Sequence, residues 1–165
     1  MDKTEICMPE IRLVGIKIRT NNQDELNYEL GRIFPCVQKY FHSQVADIIS
    51  NRVRQGSTFC VYTEYQVNNR NEYSFFIGEE VSSFSCLHKG LETCVIPPQS
   101  YAKFSVSGTM PSIVVDSWHK IWLMSEKKLG GKRTYIADFE IYDEKSFYDK
   151  EVAFDIYIGI KTAVD

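Results

Sequence analysis

Six short stretches of this chain are rich in β-branched and aromatic residues, and in residues 11–19 apolar and polar positions alternate weakly. Each stretch predicts a strand. They are residues 11–19 (Ile11-Arg12-Leu13-Val14-Gly15-Ile16-Lys17-Ile18 at their centre), 58–66, 73–81, 100–106, 134–142 and 152–161. From residue 24 to about 54 the period lengthens to that of a helix. Val37, Phe41, Val45, Ile48 and Ile49 share one face, and Pro35 interrupts the run. Asn21-Asn22-Gln23-Asp24 reads as a turn and helix cap. A second helix is predicted from Pro111 to about Leu129. Its apolar side holds Val114, Trp118, Ile121 and Trp122, and Gly130-Gly131 stops it. Asn68-Asn69-Arg70-Asn71 suits a hairpin turn, residues 82–98 form a connector ending in Pro97-Pro98, and residues 1–8 read as an N-terminal tail.

The order strand, helix, strand, strand occurs twice. Phe76-Ile77-Gly78 in the first half is echoed by Tyr157-Ile158-Gly159 in the second. No linker separates the halves into independent domains. The expectation is one α+β domain over 9–162 with a mostly antiparallel sheet and an internal duplication. Repeat one covers about 9–82 and repeat two about 99–162. Seams between repeats are common places for ligands.

Composition narrows the function. At 165 residues the chain is long enough for one sizeable core, and 44% hydrophobic with 25% charged residues is ordinary for a globular domain. Aromatics reach 13%, enough for a pocket wall as well as a core. No window approaches the roughly 20 apolar residues that span a bilayer, and Met1-Asp2-Lys3-Thr4-Glu5 is not a signal peptide, so no membrane role is expected. Five dispersed cysteines without a Cys-x-x-Cys pair read as free thiols in a reducing cytoplasm. Net charge is −3, and Lys127, Lys128, Lys132 and Arg133 gather where cations complement a helix end. No basic stripe continues around them, so direct nucleic-acid binding is not expected.

Glu140 is the sharpest chemical candidate. It shares a strand face with Asp138 and Tyr142, while Phe139 and Ile141 take the other face. Alternation alone leaves it either in solvent or in a cavity. In an aromatic cavity a carboxylate would favour a cation, with cation–π contacts of about 0.5–2 kcal/mol each. Trp118 and Trp122 read equally as core or pocket wall, and large aromatics serve both purposes. Tyr62 and Glu64 are their first-half counterparts, Glu64 more simply as a solvated strand residue. His42, His88 and His119 show no metal-ligand spacing, and no glycine-rich phosphate loop or nucleophile elbow is present. Neither a metal nor a cofactor is therefore expected.

The whole arrangement resembles the GyrI-like family, the small-molecule-binding module of many AraC-type and MerR-type transcription regulators. The resemblance rests on Leu13-Val14-Gly15, Phe76-Ile77-Gly78-Glu79-Glu80-Val81, Ile96-Pro97-Pro98-Gln99-Ser100-Tyr101-Ala102-Lys103-Phe104, Gly108, Trp118-His119-Lys120-Ile121-Trp122, Asp138-Phe139-Glu140-Ile141-Tyr142 and Asp155-Ile156-Tyr157-Ile158-Gly159-Ile160. It implies two βαββ units related by a pseudo-twofold axis, with a ligand groove between them. It also implies Glu140 in that groove facing cationic aromatic ligands. Tyr142 would stand beside it, and Tyr157, Trp118, Trp122 and Tyr62 would form walls. These 165 residues leave no room for a helix-turn-helix beside the module, so a stand-alone form is the expectation, and Ile158-Gly159-Ile160-Lys161 replaces the family's usual Ile-Pro-x-Lys ending.

The leading expectation is a stand-alone cytoplasmic protein that binds amphipathic, cationic small molecules for sensing or sequestration, in bacterial transcription regulation or multidrug response. Two alternatives stay open. One is a hydrolase of reactive small molecules using Glu140 and Tyr142 as catalytic residues. The other is an interaction protein like the DNA gyrase inhibitors of the family. A protein partner or a homodimer is compatible with either.

Overall fold

The computed structural model describes residues 1–67 and 70–163. Asn68 and Asn69 of the expected hairpin turn lie outside them. Within that range the first repeat is β2 (Ile11–Thr20), α1 (Asn22–Glu25), α2 (Ile33–His42), β3 (Ser57–Thr63) and β4 (Tyr73–Glu80), preceded by β1 (Asp2–Met8). The second is β6 (Gln99–Thr109), α3 (Ser112–Trp122), α4 (Glu126–Leu129), β7 (Lys132–Arg133), β8 (Ala137–Asp143) and β9 (Glu151–Lys161), preceded by β5 (Glu92–Ile96). This is the expected α+β, antiparallel, duplicated architecture, with one strand added before each repeat.

Several boundaries differ from the sequence expectation. Residues 1–8 are not a tail, because β1 pairs with β6 along its whole length. The connector 82–98 contains β5, which pairs with β2. The long first helix resolves into α1, α2 and a 3₁₀ turn at Val45–Ile48. Asn21 caps α1 through its side-chain oxygen, which accepts from the Asp24 amide at 2.9 Å. Pro35 is the third residue of α2, inside the first turn, where an amide hydrogen would have no partner anyway. The second helix stops at Trp122 and restarts as α4, capped by Ser125, whose hydroxyl accepts from the Lys128 amide. Gly130, at φ 90°, ends α4 in the left-handed conformation that glycine adopts without strain.

The strands form one sheet in the order β1-β6-β9-β8-β3-β4-β2-β5, with β7 on the other end of β9. Its two ends are linked by an exchange. The strand before repeat one pairs with repeat two, and the strand before repeat two pairs with repeat one. Met8 faces Gln99 and Ile11 faces Ile96, so β1–β2 and β5–β6 keep one register through the Pro9-Glu10 and Pro97-Pro98 links. The prolines supply no amide hydrogen, and the ladder is interrupted there. A flat sheet would hold β1 and β2, and likewise β5 and β6, six strand spacings or about 29 Å apart. A two-residue link reaches only about 11 Å. The sheet must therefore curl until its ends meet, like an open barrel.

Alternation then divides the core. One face of the sheet carries Leu13, Phe59, Val61, Phe76, Tyr101, Phe139 and Tyr157, buried with no helix among them. This is the inside of the curl, where the sheet covers itself. The opposite face carries Cys60, Phe75, Ile77, Phe104, Tyr142 and Ile156, packed beneath Cys36 and Tyr40 of α2 and Trp118 and Ile121 of α3. At Gly15, opposite Gly78, the two strands of the first repeat approach so closely that a Cβ would lie 2.0 Å from the Ile77 carbonyl oxygen.

Candidate functional site

The two repeats meet where β3 pairs with β8. Val61 pairs with Phe76 in repeat one and Phe139 with Tyr157 in repeat two, which makes Val61 and Phe139 equivalent. These two also face each other across the seam, so the pseudo-twofold axis passes between them. One residue further along each strand, Tyr62 and Glu140 are therefore symmetry mates. Both point to the helix side, the face that holds Cys60 and Tyr142.

Glu140 is 2% exposed. Its Oε1 accepts from Trp118 Nε1 at 2.5 Å and from the Tyr62 hydroxyl at 3.2 Å. Its Oε2 accepts from the Tyr142 hydroxyl at 2.8 Å. Three elements converge: β8 supplies the carboxylate and Tyr142, β3 supplies Tyr62, and α3 lowers Trp118 over them. The ring of Tyr62 meets Trp118 edge-on at 4.9 Å and Phe75 at 5.5 Å. Trp122, one turn further along α3, lies 6.2 Å from Trp118 and is 47% exposed. It carries the aromatic layer from the buried carboxylate to the surface.

Burial pushes the Glu140 carboxyl above its ordinary range, and the hydrogen bonds from Trp118, Tyr142 and Tyr62 oppose that shift. Desolvation and the neighbouring carboxylate push both tyrosine hydroxyls well up. They stay protonated donors. Cys60, facing Glu140 across the seam, is likewise driven well up by burial first and by the carboxylate second. It is a thiol rather than a nucleophilic thiolate.

The structure brings together Glu140, Tyr142, Trp118 and Tyr62, with Trp122 on the outer side. It does not bring Tyr157. That ring lies on the inner face, stacked on Phe139 at 4.6 Å, because its strand position has the opposite parity to Ile156, the partner of Glu140. Glu64 is outside the site as well. It has left the strand at φ 51° and pairs in solvent with Lys17 at 3.0 Å.

Sequence reasoning missed the neighbouring cluster around Asp138. Its Oδ2 accepts from Arg133 Nη2 at 2.5 Å and from the Tyr65 hydroxyl at 2.7 Å, and its Oδ1 from the Gly159 amide at 2.9 Å. Arg133 sits over the Tyr135 ring at 4.3 Å. The period-two pattern gave one signal, Asp138 on the same face as Glu140. Nothing in the sequence marked Arg133 as its partner.

A surface depression of ≈ 460 Å³ lies elsewhere, between Lys17, Arg19, Glu64, Ser74 and Glu92. Its charges are already matched: Lys17 bridges Glu64 and Glu92, and Arg19 is held by the Glu64 carbonyl and the Ser74 hydroxyl. Among the described residues no three His, Cys, Asp or Glu side chains are grouped to hold a metal ion, and no helix is long and apolar enough to cross a membrane.

Known proteins share this architecture. YobU, a putative transcriptional regulator of Bacillus subtilis (strain 168), is 27% identical over 151 residues, covering 91% of this chain and 92% of that protein. An integron cassette protein from the mobile metagenome of Vibrio cholerae superposes with a TM-score of 0.73 at 21% identity, over 96% of this chain and 95% of that one. SAV2435, solved bound to tetraphenylphosphonium, gives a TM-score of 0.75 at 15% identity, over 98% and 94%. The family model of Cass2, the integron-associated effector binding protein, matches residues 6–160. Fold, duplication and family model agree: this chain belongs to the Cass2 family of effector-binding proteins and carries a GyrI-like effector-binding domain.

Proposed function

We propose that this protein binds amphipathic, cationic aromatic molecules at the seam between its repeats, with Glu140 as the counter-charge, and that binding serves sensing or sequestration. One observation carries the reading. Three carboxylates are buried among the described residues: Glu79, Asp138 and Glu140. Glu79 holds Arg52 at 3.3 Å and Asp138 holds Arg133 at 2.5 Å. Glu140 has only neutral donors.

A buried carboxylate without a cation is costly to ionise, and an arriving cation removes that cost. The surrounding rings add apolar contact and cation–π attraction of about 0.5–2 kcal/mol per ring. Tetraphenylphosphonium, the ligand of SAV2435, has the required chemistry: one positive charge wrapped in aromatic surface. Trp118 and Tyr62 cover the carboxylate, so the ligand enters by displacing one or both rings.

The test is titration with tetraphenylphosphonium, read by tryptophan fluorescence and by the shift in melting temperature. The wild type is expected to bind, and Glu140→Gln to lose at least about tenfold in affinity, the equivalent of roughly 1.4 kcal/mol. Equal affinity in the two proteins rejects Glu140 as the counter-charge.

A further inference from the structure

Asp138 and Glu140 stand two residues apart on one face of β8, which places their side chains about 7 Å apart along the strand. Both are buried, and Tyr62 links them, since its backbone pairs with Asp138 while its hydroxyl donates to Glu140. A row of rings follows the same line. Trp118 contacts Tyr62, Tyr62 contacts Tyr73, Tyr73 contacts Tyr65, and Tyr65 meets Tyr135 edge-on at 5.6 Å. Two carboxylates at that separation, flanked by aromatic rings, match a ligand with two positive charges. Only one of them is free of a cation.

Building on the cation-binding reading above, we propose that Arg133 is the specificity-determining residue of this site: an internal cation that fills the second carboxylate, so that a second positive charge on a ligand gains no affinity there. Arg133 supplies what such a ligand would supply. Its guanidinium is planar, touches Asp138, and lies 4.3 Å from the Tyr135 ring centre. It is delivered by β7, a two-residue strand held on β9 through the pairing of Arg133 with Ile160. The side chain is 15% exposed. Its grip is incomplete, because one nitrogen contacts Asp138 while Nε is buried without a partner. A bidentate fork, the usual geometry of a structural arginine–carboxylate pair, is absent. Without Arg133, Asp138 would keep the Tyr65 hydroxyl and the Gly159 amide, neutral donors like those around Glu140.

The probes are ethidium, with one charge, and propidium, the same ring system with a second, quaternary charge. The wild type is expected to bind both with similar affinity, because the second charge finds Asp138 already neutralised. Arg133→Met removes the charge and keeps most of the volume. It is expected to raise the propidium-to-ethidium affinity ratio by about tenfold or more, one additional partly buried ion pair being worth roughly 1.4 kcal/mol. Arg133→Met combined with Asp138→Asn is expected to return the ratio to the wild-type value. A merely structural arginine would change both affinities together and leave the ratio alone. A folded Arg133→Met with an unchanged ratio overturns the proposal. So does a wild type that already prefers propidium tenfold, a result readable even if the variant does not fold. A wild type that binds neither dye rejects the cation-binding reading itself, which is a distinct outcome.

Discussion

Tyr62 and Glu140 are equivalent positions of the two repeats, and the hydroxyl of one donates to the carboxylate of the other at 3.2 Å. The duplication has diverged at its axis: one repeat supplies the charge and the other a donor that supports it. Tyr62→Phe removes that donor without disturbing the ring contacts with Trp118 and Phe75. A hydrogen bond to a charged group contributes about 1.5–3 kcal/mol. The variant is expected to fold, to shift the pH at which cations are lost upward, and to weaken tetraphenylphosphonium binding at neutral pH several-fold. Calorimetric titration across pH checks both effects. Unchanged affinity and pH profile would mean that Tyr62 serves packing alone.

The pH dependence of stability has a definite sign. Burial raises the Glu140 carboxyl in the folded chain, so the folded state favours its protonated form more than the unfolded chain does. That contribution is fully present below the ordinary carboxylate range and is lost as pH rises through the raised value. Glu140→Gln is never ionised and does not suffer the loss. The melting temperature of Glu140→Gln minus that of the wild type is therefore expected to grow from pH 4 to pH 8. Glu79, raised in the same direction, is common to both proteins and cancels in the difference. Cation affinity runs the other way, rising with pH by up to about tenfold per unit until Glu140 is ionised.

Removing residues 1–8 deletes β1 and strips β6 of a seven-residue antiparallel partner. An uncovered edge strand invites pairing with another chain. The truncated protein is expected to melt lower, by on the order of 5 °C, and to self-associate in light scattering. A truncated monomer with the wild-type melting temperature would show that β1 contributes nothing to the closure of the sheet.

Gly15→Ala places a methyl group into the Ile77 carbonyl oxygen, at a distance of 2.0 Å before any shift. The neighbour is backbone in the middle of a sheet and has little room to move. A loss of about 1–3 kcal/mol or more is expected in urea unfolding, in the range of overpacked cores. A loss below about 0.5 kcal/mol would mean that β2 and β4 separate more easily than their packing suggests.

The strand pattern, the duplication and the pairing of a carboxylate with aromatic residues were legible because β-branched and aromatic content and the alternation of side chains along a strand depend only on local sequence. That pattern placed β2, β3, β4, β6, β8 and β9, and it put Asp138, Glu140 and Tyr142 on one face. It could not announce β1. Asp2–Met8 is mostly exposed, and such a segment becomes a strand through the ladder offered by β6 rather than through an apolar rhythm of its own. The break between α3 and α4 was hidden for a related reason: helix-forming residues continue through it, while Ser125 captures the Lys128 amide and starts a new turn. The family resemblance implies Tyr157 as a pocket wall, and strand parity sends it inside the curl instead.

The sequence by itself determined what kinds of group are available and which side of each strand they occupy, because both are consequences of local backbone geometry. Only the tertiary structure decided which charges meet. Arg52 lies 27 residues from Glu79 in the chain, Trp118 lies 22 from Glu140, and Tyr65 lies 73 from Asp138. The folded sheet gives two buried carboxylates an arginine each and leaves Glu140 with neutral donors. Electrostatic interactions act through space, and no local pattern reports the distances the fold sets.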